Sequence, residues 1–169
     1  MPNPSTFSCS WLAKGANREI IKQLFVETME NDPGYISSGE IKYGYSSDGL
    51  TWNEQFKDLL KDDVDNNSLE GEGYLVCWNG DGDAVGVAAV RFVESGRTAH
   101  AYIEDMVVKK EFRRSGAGTA MLKHIESECK NKNISWIMFE SGISNLNAHD
   151  FFKAKGYNPV SINFAKQID

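Results

Sequence analysis

The chain has 169 residues, of which 41% are hydrophobic and 25% are charged, and its net charge at neutral pH is −6. This composition is typical of a globular protein, and residues 1–169 are predicted to form a single domain. The acidic balance argues against nucleic acid as a main ligand, because such binding draws on clustered Lys and Arg. The sequence has no apolar run of the roughly 20 residues that a membrane span needs, and its start lacks the layout of a secretory signal. We therefore predict a cytoplasmic protein without a membrane partner.

The three cysteines are Cys9, Cys77 and Cys129, and they have no Cys-x-x-Cys spacing. An odd number without that spacing indicates neither a disulfide framework nor a zinc site, so we expect reduced thiols. His100 and His124 have no partner at ligand spacing, and no metal site is predicted.

The first third of the chain predicts two helices separated by a long loop. Asn17 is the predicted N-cap of the first helix, which ends at an Asn-Asp-Pro-Gly stop signal. Residues 34–50 are rich in Gly, Ser and Tyr without a sustained period, which predicts irregular structure. Thr51 and Glu54 have the spacing of a capping box, so a second helix is predicted to begin near Trp52.

The rest of the chain alternates strands and helices. Residues 74–78 and 84–93 are strand-like and flank the hairpin turn Asn-Gly-Asp-Gly-Asp, and a third strand at 99–108 completes an antiparallel meander. An amphipathic helix, a strand, a helix and a last strand are predicted at 116–133, 134–139, 145–155 and 160–168. The order predicts an α/β (α+β) fold with a mixed, largely antiparallel twisted sheet flanked by helices.

The segment from the third strand into the next helix carries a basic glycine turn. Residues 109–132 hold seven bases and three acids, and Arg113 and Arg114 directly precede Gly116 and Gly118. Glycines let backbone N–H groups approach a ligand, and a helix N-terminus favours phosphate, so this turn suits a pyrophosphate. It fits neither the P-loop nor the three-glycine dinucleotide motif. An ordinary strand-to-helix turn is the alternative.

Two motifs together resemble a known family. Arg113-Arg114-Ser115-Gly116-Ala117-Gly118 is similar to the Arg/Gln-x-x-Gly-x-Gly/Ala signature of the GCN5-related N-acetyltransferase (GNAT) superfamily. Residues 145–157 resemble its Asn-x-x-Ala-x-x-Phe-Tyr-x-x-x-Gly-Phe element. The resemblance covers about residues 98–166. It implies a GNAT-type acyl-CoA N-acyltransferase fold and acetyl-CoA as co-substrate.

The resemblance also implies which residues contact the coenzyme. The backbone of Met106, Val107 and Val108 is expected to pair with the pantetheine arm, which Asn145 also contacts, and Phe152 is expected to flank the thioester. For Asn145 a helix N-cap is the alternative, and it can fill both roles. The pyrophosphate is expected at Arg113, Arg114, Ser115, Gly116, Ala117, Gly118 and Thr119.

One position departs from the family pattern. Phe152 stands where many members have a tyrosine that protonates the leaving thiolate, and a phenyl ring has no proton to give. A coenzyme A thiolate is a fairly stable leaving group near neutral pH, so turnover does not strictly require an acid. Tyr157, Ser141 and Ser144 are weaker substitutes.

The amine must lose a proton before it attacks a thioester, and Glu104 is the predicted base. An acid at this strand position resembles the family's usual base or water-holding group. Asp105 is the second choice, and a partly solvated strand carboxylate is the alternative for both. Period-two alternation places the two on opposite faces unless a bulge intervenes. Glu40, in the loop before the second helix, is a further candidate to bind a cationic amine, against the alternative of an exposed loop acid.

The function predicted from the sequence is transfer of acetyl from acetyl-CoA to a primary amine of a small molecule, by direct attack in a ternary complex. Acetylation of a protein at a lysine or N-terminus is the alternative acceptor class. A non-catalytic sensor of acetyl-CoA is the alternative outside enzymes. A homodimer is left open.

Overall fold

Five strands form one sheet in the computed structural model, which describes residues 6–66 and 72–168. The strands are β1 (Ser8–Trp11), β2 (Glu72–Trp78), β3 (Ala84–Val93), β4 (His100–Val108) and β5 (Trp136–Phe139). The helices are α1 (Glu19–Met29), α2 (Ser38–Lys42), α3 (Phe56–Asn66), α4 (Ala117–Asn131) and α5 (Leu146–Ala154). The strands lie in sequence order, and every neighbouring pair is antiparallel except β4 and β5, which run parallel. The predicted mixed and largely antiparallel sheet is confirmed.

Side-chain alternation along β2 divides the core into two layers. Val76 packs with α1 and α3 on one face of the sheet, whereas Leu75 and Cys77 pack with α4 on the other. Each of these helices contributes one apolar stripe, as the spacing of its residues predicts. The buried stripe of α4 is Ala117, Met121, Leu122, Ile125 and Cys129. Because both faces are covered, the sheet is a rigid frame for the edge at which β4 and β5 end.

The predicted loop at residues 34–50 is wrong in one part. Residues 38–42 form the short helix α2, and Ser37 is its N-cap. The Ser37 hydroxyl accepts a hydrogen bond from the Gly39 N–H, and the Glu40 carboxylate accepts one from the Ser37 N–H at 2.7 Å. This reciprocal capping box stabilises a helix too short for a periodic apolar pattern to reveal.

The capping box predicted at Thr51 and Glu54 is also wrong. Asp48 accepts hydrogen bonds from the Thr51 hydroxyl and from the N–H groups of Leu50 and Thr51, each at 2.8 Å. These bonds make a local turn instead of a helix start, as Asp side chains commonly do. Helix α3 therefore begins beyond Trp52, at Phe56.

Both ends of the chain differ from expectation. Strand β1 was not predicted, because only Cys9 and Trp11 of its four residues face the core and two positions make no period. The strand predicted at 160–168 is wrong: that segment pairs with no strand among the described residues, and Val160 and Phe164 are 84% and 93% exposed. An alternating pattern describes a strand only where a neighbouring backbone is available for pairing.

Candidate functional site

The sheet opens between β4 and β5. Their parallel pairing runs only from His100 opposite Trp136 to Ile103 opposite Phe139, whereas β4 continues to Val108. Residues 104–108 therefore form one side of a cleft, and the end of β5 and the start of α5 form the other.

Two residues of β4 direct backbone polar groups into this cleft. The Lys109 N–H donates to the Val85 carbonyl, and hydrogen-bonded pairs alternate along an antiparallel ladder. Val107, opposite Val87, is thus bonded to β3, and its side chain is buried in the α1 face. The N–H and C=O groups of Met106 and Val108 point the other way, into the cleft. Of the three residues predicted to hold a pantetheine arm, Met106 and Val108 have backbone groups turned toward the cleft and Val107 does not. The Val108 carbonyl already accepts a hydrogen bond from Arg113 Nε at 3.1 Å.

A β-bulge brings Glu104 and Asp105 to the same side of the sheet. Ala89 lies opposite Asp105 and Val90 lies opposite Ile103, so Glu104 is the extra residue on β4. A bulge reorients the side chains around it and breaks the strict alternation of faces. Both residues line the same cavity. Strict alternation along a strand would place them on opposite faces, and a bulge is the exception that we had allowed for.

Glu104 is half-buried and paired with Arg91 on the neighbouring strand. The Nε and Nη2 atoms of Arg91 both donate to Glu104 Oε1, at 2.8 Å and 2.7 Å. The arginine stacks in turn on the Tyr102 ring, with its guanidinium carbon 5.8 Å from the ring centroid. The pair fixes the position of the Glu104 carboxylate through Oε1, one of its two oxygens.

The basic glycine turn lies at the mouth of the cleft, at the N-terminus of α4. Gly116 is the N-cap of this 15-residue helix and has a φ of 107°, a left-handed conformation that favours glycine. Gly118 touches α5, because a Cβ atom there would stand 3.1 Å from the Phe151 ring. Backbone N–H groups of the first helical turn thus face the cavity with no side chain at Gly116 to block them.

The two arginines of the turn differ in their surroundings. Arg113 folds back onto the protein: its Nε donates to the Val108 carbonyl at 3.1 Å, and its Nη1 lies 3.5 Å from an oxygen of Asp32. Arg114 is exposed and has a positive φ of 61°. Both line the cavity, as do Ser115 and Thr119. Arg113 therefore braces the turn against β4, and Arg114 is the more available cation.

The cleft and the glycine turn belong to one open cavity of about 1480 Å³. Of the residues predicted to contact the coenzyme, Val107 and Ala117 do not line this cavity, because both side chains are buried in the core. We call one part of its lining the acidic half, because it holds five acids and two bases. The acidic half comes from residues 35–45, from α3, from strands β3 to β5 and from the residue after β5. We call the other part the basic half, because it holds four bases and one acid. The basic half comes from residues 110–119 and from α5 with its C-cap. The acids of the acidic half are Glu40, Asp63, Glu104, Asp105 and Glu140, and the bases of the basic half are Lys110, Arg113, Arg114 and Lys155.

Sequence reasoning missed two of the acids. Asp63 lies on α3 between Leu60 and Val64, on the helix face that lines the cavity, and accepts a hydrogen bond from the buried Tyr45 hydroxyl. Burial, then that bond, raises the pKa of Tyr45 above its ordinary value, so its hydroxyl stays protonated as the donor. Asp63 comes three residues after Leu60 and one residue before Val64, so it lies beside the apolar face of α3. This spacing could have identified Asp63 from the sequence, but the many charged residues around it obscured the pattern.

Glu140, the other missed acid, directly follows β5. Its Oε1 accepts a hydrogen bond from the Ser38 N–H at 2.9 Å, and its Oε2 accepts one from the Asn163 amide at 2.8 Å. Burial alone would raise the pKa of Glu140, but hydrogen bonds from Ser38 and Ser37 outweigh it and lower that pKa. Glu140 is therefore a carboxylate at neutral pH. Glu40, by contrast, is committed to the capping box of α2.

The remaining predicted residues meet at α5. Asn145 is the N-cap of α5 but makes no side-chain capping hydrogen bond, and it lines the cavity. Phe152 also lines the cavity and packs on Phe139, with 4.3 Å between ring centroids. Ser141 is a lining residue too, whereas the Tyr157 hydroxyl donates to Glu126 at 3.1 Å and is thereby held toward α4.

The described part of the chain contains neither a metal cluster nor a membrane span. No group of three or more His, Cys, Asp or Glu side chains there is arranged to hold a metal ion. No helix within residues 6–66 and 72–168 combines the length and apolarity required to cross a membrane.

The mixed sheet opens between two parallel strands, and a glycine turn at a helix N-terminus lies beside the opening. These features define the class of acyltransferases that the two sequence motifs predicted. The sequence profile of the Acetyltransferase (GNAT) family matches residues 41–157, and the chain belongs to that family. The predicted fold and enzyme class are confirmed.

Similar proteins include acetyltransferases of small molecules. Streptothricin acetyltransferase A of Bacillus subtilis (strain 168) is 26% identical over 129 residues, which cover 72% of each chain. The structure of aminoglycoside N-acetyltransferase AAC(6')-Iy in complex with CoA has a TM-score of 0.67 and 14% identity, over 99% of this chain and 98% of that one. Aminoglycoside 6'-N-acetyltransferase AAC(6')-Ih of Acinetobacter baumannii has a TM-score of 0.62 and 12% identity, over 97% of this chain and 100% of that one. The two structures share the fold.

Proposed function

We propose that this enzyme transfers acetyl from acetyl-CoA to a primary amine of a small cationic molecule. The observation that carries the proposal is the division of one cavity into a basic half beside the glycine turn and an acidic half across the bulge of β4. A phosphate-bearing donor and a cationic acceptor fit these two halves by charge, and Glu104 and Asp105 belong to the acidic half.

The residues present fit the coenzyme. The α4 N-terminus offers N–H groups at a position without a Cβ, and Arg114 adds a cation beside them, which suits a pyrophosphate. Met106 and Val108 direct backbone groups into the cleft, where an amide-bearing arm can pair as a strand would. We assign Asn145, which lines the cavity, a side-chain hydrogen bond to the arm. When bound, acetyl-CoA supplies an acetyl group activated as a thioester.

The acidic half is suited to an acceptor with more than one amine. Glu140 and Asp63 are anchored by hydrogen bonds from the protein, so each can hold a distal ammonium without itself moving. Glu104 is assigned to the attacking nitrogen, which must shed a proton, through Oε2 directly or through one water. The attack is direct, and none of the three cysteines is among the residues that line the cavity in the described chain.

The leaving thiolate has no phenol beside it at residue 152. Phe152 packs between Phe139 and Tyr157, with ring centroids 4.3 Å and 5.9 Å away. The two phenyl rings have no proton to offer, and the Tyr157 hydroxyl donates to Glu126. We infer that the thiolate leaves as such and is protonated by solvent, since its ordinary pKa makes it a tolerable leaving group.

Phe152→Tyr should therefore leave kcat unchanged or raise it, because the variant only adds a proton donor at the family's usual position. The check is the steady-state rate of thiol release with saturating acetyl-CoA, with Phe139→Tyr as a control that adds a hydroxyl to the neighbouring ring. A fall in kcat of about tenfold or more in a Phe152→Tyr protein that melts like the parent would contradict this assignment.

A panel of acceptors tests the proposed function. We expect kcat/KM to be highest for small molecules with several amines, such as streptothricins, aminoglycosides and polyamines, and lower for monoamines of similar size. The named relatives act on streptothricin and aminoglycosides, which supports this order. If peptides are acetylated faster, at a lysine or at the N-terminus, the enzyme is a protein acetyltransferase and the proposed small-molecule acceptor is wrong. Binding of acetyl-CoA without turnover of any acceptor would favour a sensor.

A further inference from the structure

Two of the three cysteines face each other across neighbouring strands. Cys9 of β1 lies directly opposite Cys77 of β2, and both side chains belong to the layer that packs on α4. Cys129, the third, is buried on α4. Neither the acetyl transfer nor the coenzyme contacts proposed above make use of this pair.

The ladder shows which kind of cross-strand pair this is. The Leu12 N–H donates to the Tyr74 carbonyl at 2.8 Å, so Leu12 and Tyr74 form a hydrogen-bonded pair. Such pairs alternate along an antiparallel ladder, and three steps away Cys9 and Cys77 form a non-hydrogen-bonded pair. Cα atoms in these pairs are about 4.5 Å apart. That separation lies within the range of roughly 4.4 to 6.8 Å that a disulfide spans.

The two thiols differ in reactivity. Cys9 is partly exposed, whereas Cys77 is fully buried. A hydrogen bond from the Cys77 thiol lowers the pKa of Cys9 and outweighs the opposing effect of burial. The same contact, together with burial, raises the pKa of Cys77. Cys9 is therefore the more accessible and more readily ionised thiol, which suits it to attack first, and Cys77 is the resolving thiol.

Cys77 and Phe7 lie next to the glycine turn at the start of α4. The Cys77 thiol lies 4.0 Å from the carbonyl oxygen of Ala117, the first residue of α4. Phe7, two residues before Cys9, is the side chain nearest to Gly116, since its ring lies 3.9 Å from where a Cβ atom at Gly116 would stand. A bond between the two sulfurs would draw the Cys77 thiol away from Ala117 and fix β1 beside the turn.

We propose that Cys9 and Cys77 form a reversible intramolecular disulfide by exchange with a small oxidised disulfide such as glutathione disulfide, and that this bond weakens coenzyme binding at residues 113–119. The Cys9 thiolate attacks glutathione disulfide and expels one glutathione thiolate. Cys77 then gives up its proton to that thiolate and attacks the Cys9 sulfur, which expels the second glutathione. Two protein thiols are oxidised and one glutathione disulfide is reduced to two glutathiones.

The first test is a thiol count on the 169-residue protein equilibrated with mixtures of oxidised and reduced glutathione. Free thiols should fall from three to one, peptide mapping should join residues 9 and 77, and dithiothreitol should restore all three. Cys129→Ala should still lose two thiols, and Cys9→Ala should lose neither of its remaining two. Three free thiols in the oxidised native protein, a lasting mixed disulfide at Cys9, or a link to Cys129 would overturn the proposal.

The second test concerns the link to the coenzyme turn, which rests on the proposed function. By calorimetry, the oxidised protein should bind acetyl-CoA about fivefold more weakly than the reduced protein, at the lower end of typical coupling between sites. Cys9→Ala should bind equally under both conditions. Equal affinity in the two redox states would overturn the coupling. A protein that forms the disulfide but binds no acetyl-CoA in either state would instead contradict the proposed function.

Discussion

Gly116→Val should weaken acetyl-CoA binding by about 100-fold or more, while the protein still folds. We propose that phosphate oxygens approach the backbone N–H groups of the first turn of α4, and a side chain at its N-cap would obstruct that approach. Valine also disfavours the φ of 107° found there, at a cost of about 1 to 3 kcal/mol of stability. Calorimetry with acetyl-CoA gives the affinity, and thermal unfolding gives the stability.

Gly96→Val is a matched control for this prediction. Gly96 has a φ of 105° in the turn between β3 and β4, with no atom within 4 Å of an added Cβ atom. It should lose a similar amount of stability and keep its affinity for acetyl-CoA. A folded Gly116→Val protein with the affinity of the parent would show that the pyrophosphate does not bind at this turn.

Glu104→Gln should lower kcat by about 100-fold or more at neutral pH. Glutamine keeps the shape of the side chain and an oxygen for Arg91, but it cannot accept the proton of the attacking ammonium. The rate of the variant should recover in part as pH rises toward about 10, because the fraction of free amine in solution grows. The measurement is a pH profile of kcat with saturating acetyl-CoA.

Variants at the neighbouring carboxylates separate catalysis from acceptor binding. Glu140→Gln should raise the KM of a multi-amine acceptor with little change in kcat, because Glu140 is assigned to a distal ammonium. Asp105→Asn tests the other residue of the bulge. A pH profile of Glu104→Gln like that of the parent would remove Glu104 as the base and turn attention to Asp105. A rise in KM alone would make Glu104 a binding residue.

The parts of the fold that the sequence predicted are those with strong local signals. The hairpin of β2 and β3 follows from its turn residues, and the buried stripe of α4 follows from four-residue spacing. The strand expected at 160–168 had the same quality of local pattern, yet that segment forms no strand in the described chain. Whether this segment forms a strand depends on whether another strand lies beside it, and the residues of the segment alone do not contain that information.

The candidate site was predictable where a motif carries it and not where tertiary contacts build it. The glycine turn lies at a helix N-terminus, as expected, because its glycines and arginines are contiguous. Glu104 and Asp105 face the same side of the sheet because of a bulge in the pairing of β4 with β3. The residue pattern of β4 alone cannot reveal such a bulge. Glu140 is held by a hydrogen bond from the Ser38 N–H at the start of α2, a contact across about 100 residues of chain.

Transfer of an isotopically labelled acetyl group from acetyl-CoA to a multi-amine acceptor tests the central claim most directly. Mass spectrometry of the acceptor and a thiol assay of the same sample measure the two products together. We predict that one labelled acetyl appears on an amine of the acceptor for each free thiol released, and that Gly116→Val and Glu104→Gln slow both equally. Thiol release without an acetylated acceptor, or no release with any amine while acetyl-CoA binds, would contradict the account.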